Sequence, residues 1–445
     1  MKKVAFRNLG CKVNEYEMEY MQQRMVDSGY LIVPFDTKSD IYVINTCTVT
    51  NIADRKSRQM IHKARKTNPD AIVVAAGCYV QTDEEGALKD GVADIIIGNN
   101  NKSRLPEIIE EYIKEHDKAL SYVDDLTDCS QYEDMSINIS AVHTRAFIKI
   151  QDGCNQFCSF CAIPIARGRI RSKKKEEIIK EVTKIANSGC SEIVITGIHL
   201  SSYGIDFHPD KDGRIKSYNE AAKDGTFVNN DLLDVIKECA GIEGIKRIRL
   251  GSLEPRLITD EFLSELSKTE KVCPHFHLSL QSGCDETLKR MNRKYTVEEY
   301  YHAVELLRKY YDEPAITTDV IVGFPGETDE EFEETRKFIQ KTGFFELHVF
   351  KYSRRDKTVA ASMKGQIPDA VKQKRSEILI SLGEELSKEF CKKYKGRIVE
   401  VLFEEKKNGM YQGHTREYIP VRKASDTDLS GSIDNLSFDG NYCKI

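Results

Sequence analysis

The feature that most constrains this chain is a group of three closely spaced cysteines, Cys154, Cys158 and Cys161. Their C-x3-C-x2-C spacing lets three thiolates hold three irons of a [4Fe–4S] cube, which leaves the fourth iron without a protein ligand. Electron-transfer clusters use four cysteine ligands, whereas an open metal position is what a reacting molecule needs. A zinc knuckle is the alternative, but it needs a fourth Cys or His close by, and the following sequence offers only Cys190. The spacing therefore favours an open iron–sulfur cluster.

Three further cysteines, Cys11, Cys47 and Cys78, occupy equivalent positions near the start of the chain. Each follows the carboxyl end of a predicted strand. Parallel α/β sheets place ligand sites outside that edge, so these cysteines are expected to converge in space. Three ordinary buried thiols are the alternative, because free cysteine is among the most buried residue types. Three cysteines at equivalent strand ends favour a second set of cluster ligands, again with one iron open.

The alternation of short β-branched runs with helical patterns predicts the fold. The first part is expected to be a doubly wound parallel sheet, and the second a partial (β/α)6 barrel. A small C-terminal all-β barrel is expected after a charged helix. Predicted domains are 1–116, a polar and acidic linker at 117–143, a central domain at 144–375, and a connecting helix with the β domain at 376–445. The predicted strands lie at 4–9, 41–45, 72–76, 94–98, 147–151, 193–197, 246–251, 277–281, 318–322 and 347–352, and the stretch 206–229 is predicted to be an inserted surface loop.

Composition excludes several classes of protein. The net charge of −5 over 445 residues gives no global signature of a nucleic-acid binder. No apolar run approaches the length of a membrane span, and the first residues do not resemble a signal peptide. Thirteen cysteines cannot all pair, and without an export signal they indicate thiols and metal ligands. We therefore expect a cytoplasmic protein that does not use a membrane.

The combination of two cysteine sets resembles the radical S-adenosylmethionine methylthiotransferases over essentially the whole chain. That resemblance implies two [4Fe–4S] clusters, S-adenosyl-L-methionine as cofactor, and a C-terminal domain similar to the TRAM domain. In that family the cluster of the C-x3-C-x2-C motif cleaves S-adenosylmethionine to a 5′-deoxyadenosyl radical, and the auxiliary cluster carries the sulfur. The similar motifs are LGCKVN (9–14), NTCTV (45–49), GC (77–78), ARG (166–168), TGI (196–198), SLEP (252–255), LQSG (280–283) and VGFPGET (322–328).

The resemblance also implies roles for individual residues. The six cysteines are expected to be catalytic, with Cys11, Cys47 and Cys78 on the auxiliary cluster and Cys154, Cys158 and Cys161 on the radical cluster. For the strand end at Gly197 and for the glycine-rich turn at Gly323, purely structural roles are the alternative. The residues expected to bind the cofactor are Gly197, Ser252, Glu254, Gln281 and Gly323.

Positive charge is local. The segment 167–175 has six basic residues in nine and no acid. A charge run is usually a solvated face, but this one follows the cluster motif, where an RNA backbone would pass. We therefore predict contacts with the tRNA anticodon stem–loop. The predicted contacts are Arg167, Arg171, Lys173, Lys174 and Lys175.

The expected reaction adds a methylthio group at C2 of N6-threonylcarbamoyladenosine at tRNA position 37. This expectation rests on two stretches, NTCTVTN (45–51) and SLQSGC (279–284), that are most similar to that type of methylthiotransferase. Expected partners are an electron donor such as a flavodoxin or ferredoxin, and a sulfur donor. The alternatives are isopentenyladenosine in tRNA or an aspartate of a ribosomal protein. A non-catalytic iron–sulfur RNA-binding protein is the competing class, but binding alone needs no cofactor pocket.

Overall fold

The computed structural model describes residues 1–115, 119–127, 129, 131–137, 144–223 and 227–440. The chain forms two compact units. The first contains Met1–Ile137, Lys149–Glu177 and Ser353–Ala361, and the second contains Asn138–Ile148, Ile178–Tyr352 and Ser362–Ile445. Among the described residues, no helix combines the length and the apolarity that crossing a bilayer requires.

A six-stranded parallel sheet forms the centre of the first unit, in the order β2-β1-β3-β4-β5-β6. Every residue of the third strand is buried, as expected for a strand covered by helices on both faces. The strands are β1 (Lys3–Asn8), β2 (Leu31–Val33), β3 (Ile41–Thr46), β4 (Ile72–Gly77), β5 (Ile95–Ile97) and β6 (Leu120–Tyr122). The helices are α1 (Lys12–Asp27), α2 (Asn51–Thr67), α3 (Cys78–Thr82), α4 (Glu84–Asp90) and α5 (Leu105–Glu115).

Two short edge strands, β2 and β6, were not predicted. β6 falls inside the segment expected to be a linker, where Met135 is also buried. Three-residue strands are too short to show a hydrophobic period in the sequence, and pairing with the sheet decides their conformation. Much of the predicted linker, 116–118, 128, 130 and 138–143, lies outside the described residues.

The predicted cluster motif lies between two paired strands. β7 (Arg145–Asp152) pairs antiparallel with β8 (Arg171–Ser172), which brings Asp152 opposite Arg171. Between these strands lie the cysteine loop and α6 (Ile163–Arg167). The loop is thereby anchored at both ends.

Parallel strands separated by helices continue in the second unit. β9 pairs with β10, and β11-β12-β13 form a three-stranded sheet. The strands are β9 (Glu192–Gly197), β10 (Arg247–Leu250), β11 (His275–His277), β12 (Ala315–Val322) and β13 (Glu346–Lys351). The helices are α7 (Lys175–Asn187), α8 (Tyr218–Ala221), α9 (Asn230–Gly241), α10 (Asp260–Leu266), α11 (Asp285–Arg290), α12 (Val297–Tyr310), α13 (Asp329–Thr342) and α15 (Asp369–Lys393), whereas α14 (Val359–Ser362) belongs to the first unit except for its last residue.

The chain ends in an antiparallel sheet of order β16-β15-β14-β17. Its inner face packs Val401, Phe403 and Tyr411 against Phe390 of α15. The strands are β14 (Ile398–Lys407), β15 (Met410–Thr415), β16 (Pro420–Lys423) and β17 (Ile433–Ser437). The predicted fold class is confirmed: an N-terminal parallel sheet, an alternating β/α core and a C-terminal all-β region.

Candidate functional site

The three N-terminal cysteines lie at one edge of the first sheet. Cys11 is the N-cap residue of α1, Cys47 follows β3 and Cys78 begins α3 directly after β4. Since β1, β3 and β4 are neighbouring parallel strands, their carboxyl ends meet at the same edge. The backbone between β4 and α3 is tight: Gly77 has φ +100°, and a Cβ there would lie 2.7 Å from Asn45 Oδ1. The structure therefore brings the predicted set together.

The environment of these thiols suits metal binding. Cys47 and Cys78 are buried, and Cys11 is exposed. Burial, together with negative charge on Cys78 and Cys11, raises the pKa of the Cys47 thiol to about 11. Such a thiol stays protonated at neutral pH unless a metal displaces the proton. Asn99 Nδ2 donates to Cys78 Sγ at 3.3 Å, and an N–H donor of this kind stabilises a metal-bound thiolate.

The second cysteine set lies on the loop between β7 and α6. Backbone N–H groups of this loop face two of the sulfurs: Gln156 N donates to Cys154 Sγ and Ile163 N to Cys161 Sγ, each at 3.4 Å. Cys154 is buried, whereas Cys158 and Cys161 are half-buried. Donors aimed at sulfur are compatible with iron–sulfur ligation, because hydrogen bonds to the sulfurs are among the features that tune such clusters.

A cavity of about 590 Å³ opens beside this loop. Cys158, Cys161 and Phe157 line it, together with Arg169. The Arg169 guanidinium lies over the Phe157 ring, 4.7 Å from its centroid. One basic residue of the segment 167–175 is thus positioned at the cavity beside the cysteine loop.

A buried charge network connects the two cysteine sets. Arg167, the last residue of α6, donates from Nη1 to Glu17 Oε1 at 2.7 Å and from Nη2 to Asn14 Oδ1 at 3.0 Å. Asn14 also accepts from the Cys11 thiol at 3.4 Å. From the other side, Asn99 Nδ2 donates to Ala166 O at 2.7 Å as well as to Cys78. The helix that follows one cysteine set is therefore hydrogen-bonded to side chains beside the other.

Three cations and two carboxylates form the centre of this network. Lys102 and Lys149 pair with Glu17, and Lys149 Nζ lies 2.6 Å from Asp152 Oδ2. Burial alone would raise the pKa of the Glu17 carboxyl, but Arg167, Lys102 and Lys149 hold it well below its ordinary value. The same network lowers the pKa of Asp152, chiefly through Lys149 and Arg167 against the effect of burial. Roles for Glu17, Asn99, Lys102 and Lys149 were not predicted from the sequence.

The structure corrects part of the RNA-binding prediction. Arg167, Arg171 and Lys173 are buried, so their charge is neutralised inside the protein and is not presented to a phosphate backbone. Arg171 lies 3.8 Å from Asp152, and Lys173 donates to Ser136 at 2.9 Å. Of the five predicted contacts, Lys174 is exposed and Lys175 is half-buried. Of the five, only these two remain predicted RNA contacts.

The predicted cofactor residues lie at or just beyond the strand ends of the second unit. Gly197 ends β9, and Ser252 follows β10 with its hydroxyl 2.8 Å from that of Ser279. Gln281 has φ +66° and donates its N–H to Asp319 O at 2.8 Å. Gly323, at φ +71°, donates to Glu327 Oε2 at 2.6 Å. The positions agree with a cofactor site at this edge, and their role stays a prediction.

Glu254 has partners of its own. Arg293 donates to its Oε1 at 2.7 Å, and His199 Nε2 lies 3.4 Å from the same oxygen. Burial alone would raise the pKa of Glu254, but Arg293 and His199 lower it. The carboxylate is therefore charged at neutral pH and held in one position. The role of Arg293 as its partner was not predicted from the sequence.

Comparison with known proteins agrees with this architecture. Residues 148–339 match the radical SAM superfamily model, and residues 3–98 match the model described as uncharacterized protein family UPF0004. The threonylcarbamoyladenosine tRNA methylthiotransferase MtaB of Bacillus subtilis is 40% identical over 97% of this chain and 93% of its own length. The protein of the same name from Aquifex aeolicus is 38% identical over 95% and 96%.

Another relative has a different name. The tRNA-2-methylthio-N(6)-dimethylallyladenosine synthase of a Thermoanaerobacter species is 34% identical over 96% of this chain and 88% of its own. Among solved structures, the radical S-adenosylmethionine methyltransferase TsrM from Kitasatospora setae superposes with a TM-score of 0.56 at 14% identity, covering 79% of this chain and 73% of that one. This likeness concerns the fold alone.

The fold and the cysteine loop define a radical S-adenosylmethionine enzyme. Within that class, the chain belongs to the methylthiotransferase family. S-adenosylmethionine and [4Fe–4S] clusters are accordingly its cofactors.

Proposed function

We propose that this enzyme methylthiolates tRNA, converting N6-threonylcarbamoyladenosine at position 37 to its 2-methylthio derivative. The observation that supports this most directly is the 40% identity over nearly the whole chain with a relative named for that reaction. The 38% identity with a second relative of the same name adds support.

The six cysteines are the proposed cluster ligands. Cys11, Cys47 and Cys78 would hold the auxiliary cluster, and Cys154, Cys158 and Cys161 the radical cluster. When bound, the clusters supply reductive cleavage of S-adenosylmethionine and the sulfur that is transferred. The abstracted substrate hydrogen is bonded to carbon and is not acidic, so no general base among the side chains could remove it at neutral pH.

The residues around the cysteines position the two loops. Arg167 fixes the end of α6 against Glu17 and Asn14 of α1, and Asn99 joins Ala166 to Cys78. Because all of these groups are buried and the Arg167–Glu17 pair is charged, a change in either loop would break strong hydrogen bonds. The network therefore holds the separation between the two cysteine sets constant.

Cofactor binding is proposed for the strand ends of the second unit. Gly197, Ser252, Gln281 and Gly323 present backbone or small polar groups there, which suits close approach of a ligand to the main chain. Glu254, fixed by Arg293 and His199, offers a charged acceptor for hydroxyl or amino groups.

The second candidate substrate is N6-dimethylallyladenosine (isopentenyladenosine) in tRNA, which is favoured by the 34% identical relative. The two substrates differ chemically, because the threonylcarbamoyl group is polar and ends in a carboxylate whereas the dimethylallyl group is apolar. An aspartate of a ribosomal protein is a third possibility within the family. An electron donor such as a flavodoxin or ferredoxin, a sulfur donor and a cytoplasmic location belong to the same proposal.

Nucleoside mass spectrometry tests the substrate. This chain should be expressed in a bacterial strain that lacks its own tRNA methylthiotransferases but makes both modified adenosines. We expect 2-methylthio-N6-threonylcarbamoyladenosine to appear and 2-methylthio-N6-isopentenyladenosine to stay absent. Cys158→Ala is the matched inactive control. Appearance of the second nucleoside alone would replace the proposed substrate, and absence of both would refute tRNA as substrate.

A further inference from the structure

Three potential metal ligands that no assigned function uses lie on adjacent strands of the second unit. His277 ends β11, Asp319 lies within β12 and His348 lies within β13. In the strand register His277 is opposite Thr317, and Asp319 is opposite His348. Since Thr317 and Asp319 are two residues apart, their side chains point to the same face. The register therefore places the two imidazoles and the carboxylate on one side of the sheet.

The side-chain atoms are close enough to share one ion. One ligand atom from each of the three residues lies within 4.8 Å of the other two. His277 Nε2 is 3.3 Å from Asp319 Oδ2, and the two imidazole centroids are 5.7 Å apart. Two ligands of a tetrahedral ion with bonds of about 2.0–2.2 Å are separated by roughly 3.4 Å. The pair His277–Asp319 already has this spacing, and His348 offers a ligand atom within 4.8 Å of both.

The hydrogen bond at the other ring nitrogen of His277, the one that does not face Asp319, supports a role for this residue as a metal ligand. Its Nδ1 lies 2.9 Å from Thr317 Oγ1. With Nδ1–H donating to that hydroxyl, Nε2 carries the lone pair and faces Asp319. Metal-binding histidines characteristically have their second nitrogen fixed by such a partner, which sets the tautomer and the ring orientation. The alternative is a simple ion pair between His277 and Asp319. Such a pair would not need the imidazole of His348 beside both groups.

We propose that His277, Asp319 and His348 bind one divalent first-row transition-metal ion, for which Zn²⁺ is the probe. Two imidazoles and one carboxylate suit such ions, whereas Mg²⁺ and Ca²⁺ favour oxygen ligands. His348 is exposed and Asp319 is half-buried, so water can reach the ion and complete its coordination. The site contains no cysteine and is distinct from both cysteine sets.

The site adjoins one of the predicted cofactor residues, because Gln281 N donates to Asp319 O at 2.8 Å. His277 precedes Gln281 by four residues, and Asp319 precedes Gly323 by four. An ion bound here would cross-link three neighbouring strands, β11, β12 and β13.

Zinc stoichiometry tests the proposal independently of the tRNA substrate. Full-length protein should first be reconstituted anaerobically with iron and sulfide, so that the cluster cysteines are occupied. It is then dialysed against micromolar Zn²⁺, and zinc and iron are measured by inductively coupled plasma mass spectrometry. We expect the wild-type chain to hold about one zinc more than His348→Gln or Asp319→Asn, at equal iron content. His302→Gln, on the exposed side of α12, is the matched control and should retain the extra zinc.

A second variant separates binding from folding. Thr317→Val removes the hydroxyl that is hydrogen-bonded to His277 Nδ1 and keeps all three metal ligands. Zinc affinity should therefore fall roughly 10- to 100-fold. Because His348 is exposed, His348→Gln should fold normally, and an unchanged iron content would verify this. Equal zinc in the wild type and in His348→Gln would overturn the proposal. So would a zinc anomalous-scattering peak located only at other residues.

Discussion

Arg167 Nη1 and Glu17 Oε1 form an ion pair at 2.7 Å in which both side chains are fully buried. The two residues are 150 positions apart in the chain. One ends the helix after the C-x3-C-x2-C loop, and the other lies on the helix that begins at Cys11. This buried pair directly connects the elements that carry the two cysteine sets.

Removing the Arg167 charge should destabilise the protein. In Arg167→Met, Glu17 and Asp152 lose a buried partner, and breaking such a pair costs about 3–5 kcal/mol. Urea unfolding followed by circular dichroism measures the change. Lys174→Met is the matched control, because Lys174 is exposed, and it should change stability by no more than about 0.5 kcal/mol. Equal midpoints for the two variants would show that the network does not stabilise the fold.

Asn99 should tune the cluster proposed at Cys78. Asn99→Ala removes the N–H that donates to Cys78 Sγ, so the sulfur becomes more electron-rich and the reduction potential of that cluster should fall. Redox titration followed by electron paramagnetic resonance measures the potential, and the iron content should remain unchanged. Asn230→Ala, an exposed asparagine of the second unit, is the control. An unaltered potential in Asn99→Ala would refute the tuning role.

The two cysteine sets should hold separate clusters. Reconstituted wild-type protein is expected to contain about eight irons, as two cubes. The triple variant Cys11→Ala, Cys47→Ala, Cys78→Ala should contain about four and still cleave S-adenosylmethionine, but should form no methylthio product. The converse triple variant, Cys154→Ala, Cys158→Ala, Cys161→Ala, should lose S-adenosylmethionine cleavage as well as the methylthio product. Cys239→Ala, a buried cysteine of α9, should keep all eight, and retention of eight in either triple variant would refute separate sites.

Stability should fall in acid because of Glu17 and Asp152. Burial opposes their ionisation, but the surrounding cations lower both pKa values in the folded state. A lowered folded-state pKa contributes stability that is complete above the unfolded values, about 4.3 for Glu and 3.9 for Asp, and is lost as the pH falls below them. Urea unfolding of the reduced, cluster-free chain between pH 6 and 3 measures this. Glu17→Gln should be less stable at pH 6 and lose less on acidification; a parallel pH dependence would contradict the assignment.

Salt dependence tests the remaining RNA-binding residues. If tRNA is the substrate, Lys174→Gln with Lys175→Gln should flatten the dependence of log affinity on log salt by up to about two units, one for each phosphate that a lysine no longer neutralises. Lys173→Gln should leave the slope unchanged and lower stability instead, because Lys173 is buried. Filter binding across a salt series gives the slopes. An unchanged slope in the double variant would indicate that this segment is an ordinary solvated face.

The sequence predicted the elements well wherever a local pattern was present. Buried parallel strands such as Ile41–Thr46 are continuous β-branched runs, and helices such as α13 begin at a capping box formed by Thr328 and Glu331. Because each cysteine lies within three residues of the end of a strand, the rule that parallel strands end at one edge was enough to predict that Cys11, Cys47 and Cys78 converge. These features depend on neighbours in the chain.

The sequence by itself therefore determined the main alternation of strands and helices, the cysteine sets and the family. Only the tertiary structure decided which basic side chains of the segment 167–175 are buried against carboxylates and which face solvent. A run of arginine and lysine indicates a solvated face as long as its partners are unknown, and the partners of Arg167 and Arg171 are Glu17 and Asp152, brought in by other elements. The same applies to His277, Asp319 and His348, which strand register places together. Pairing between distant residues has no local pattern in the sequence, because burial and electrostatics act through space.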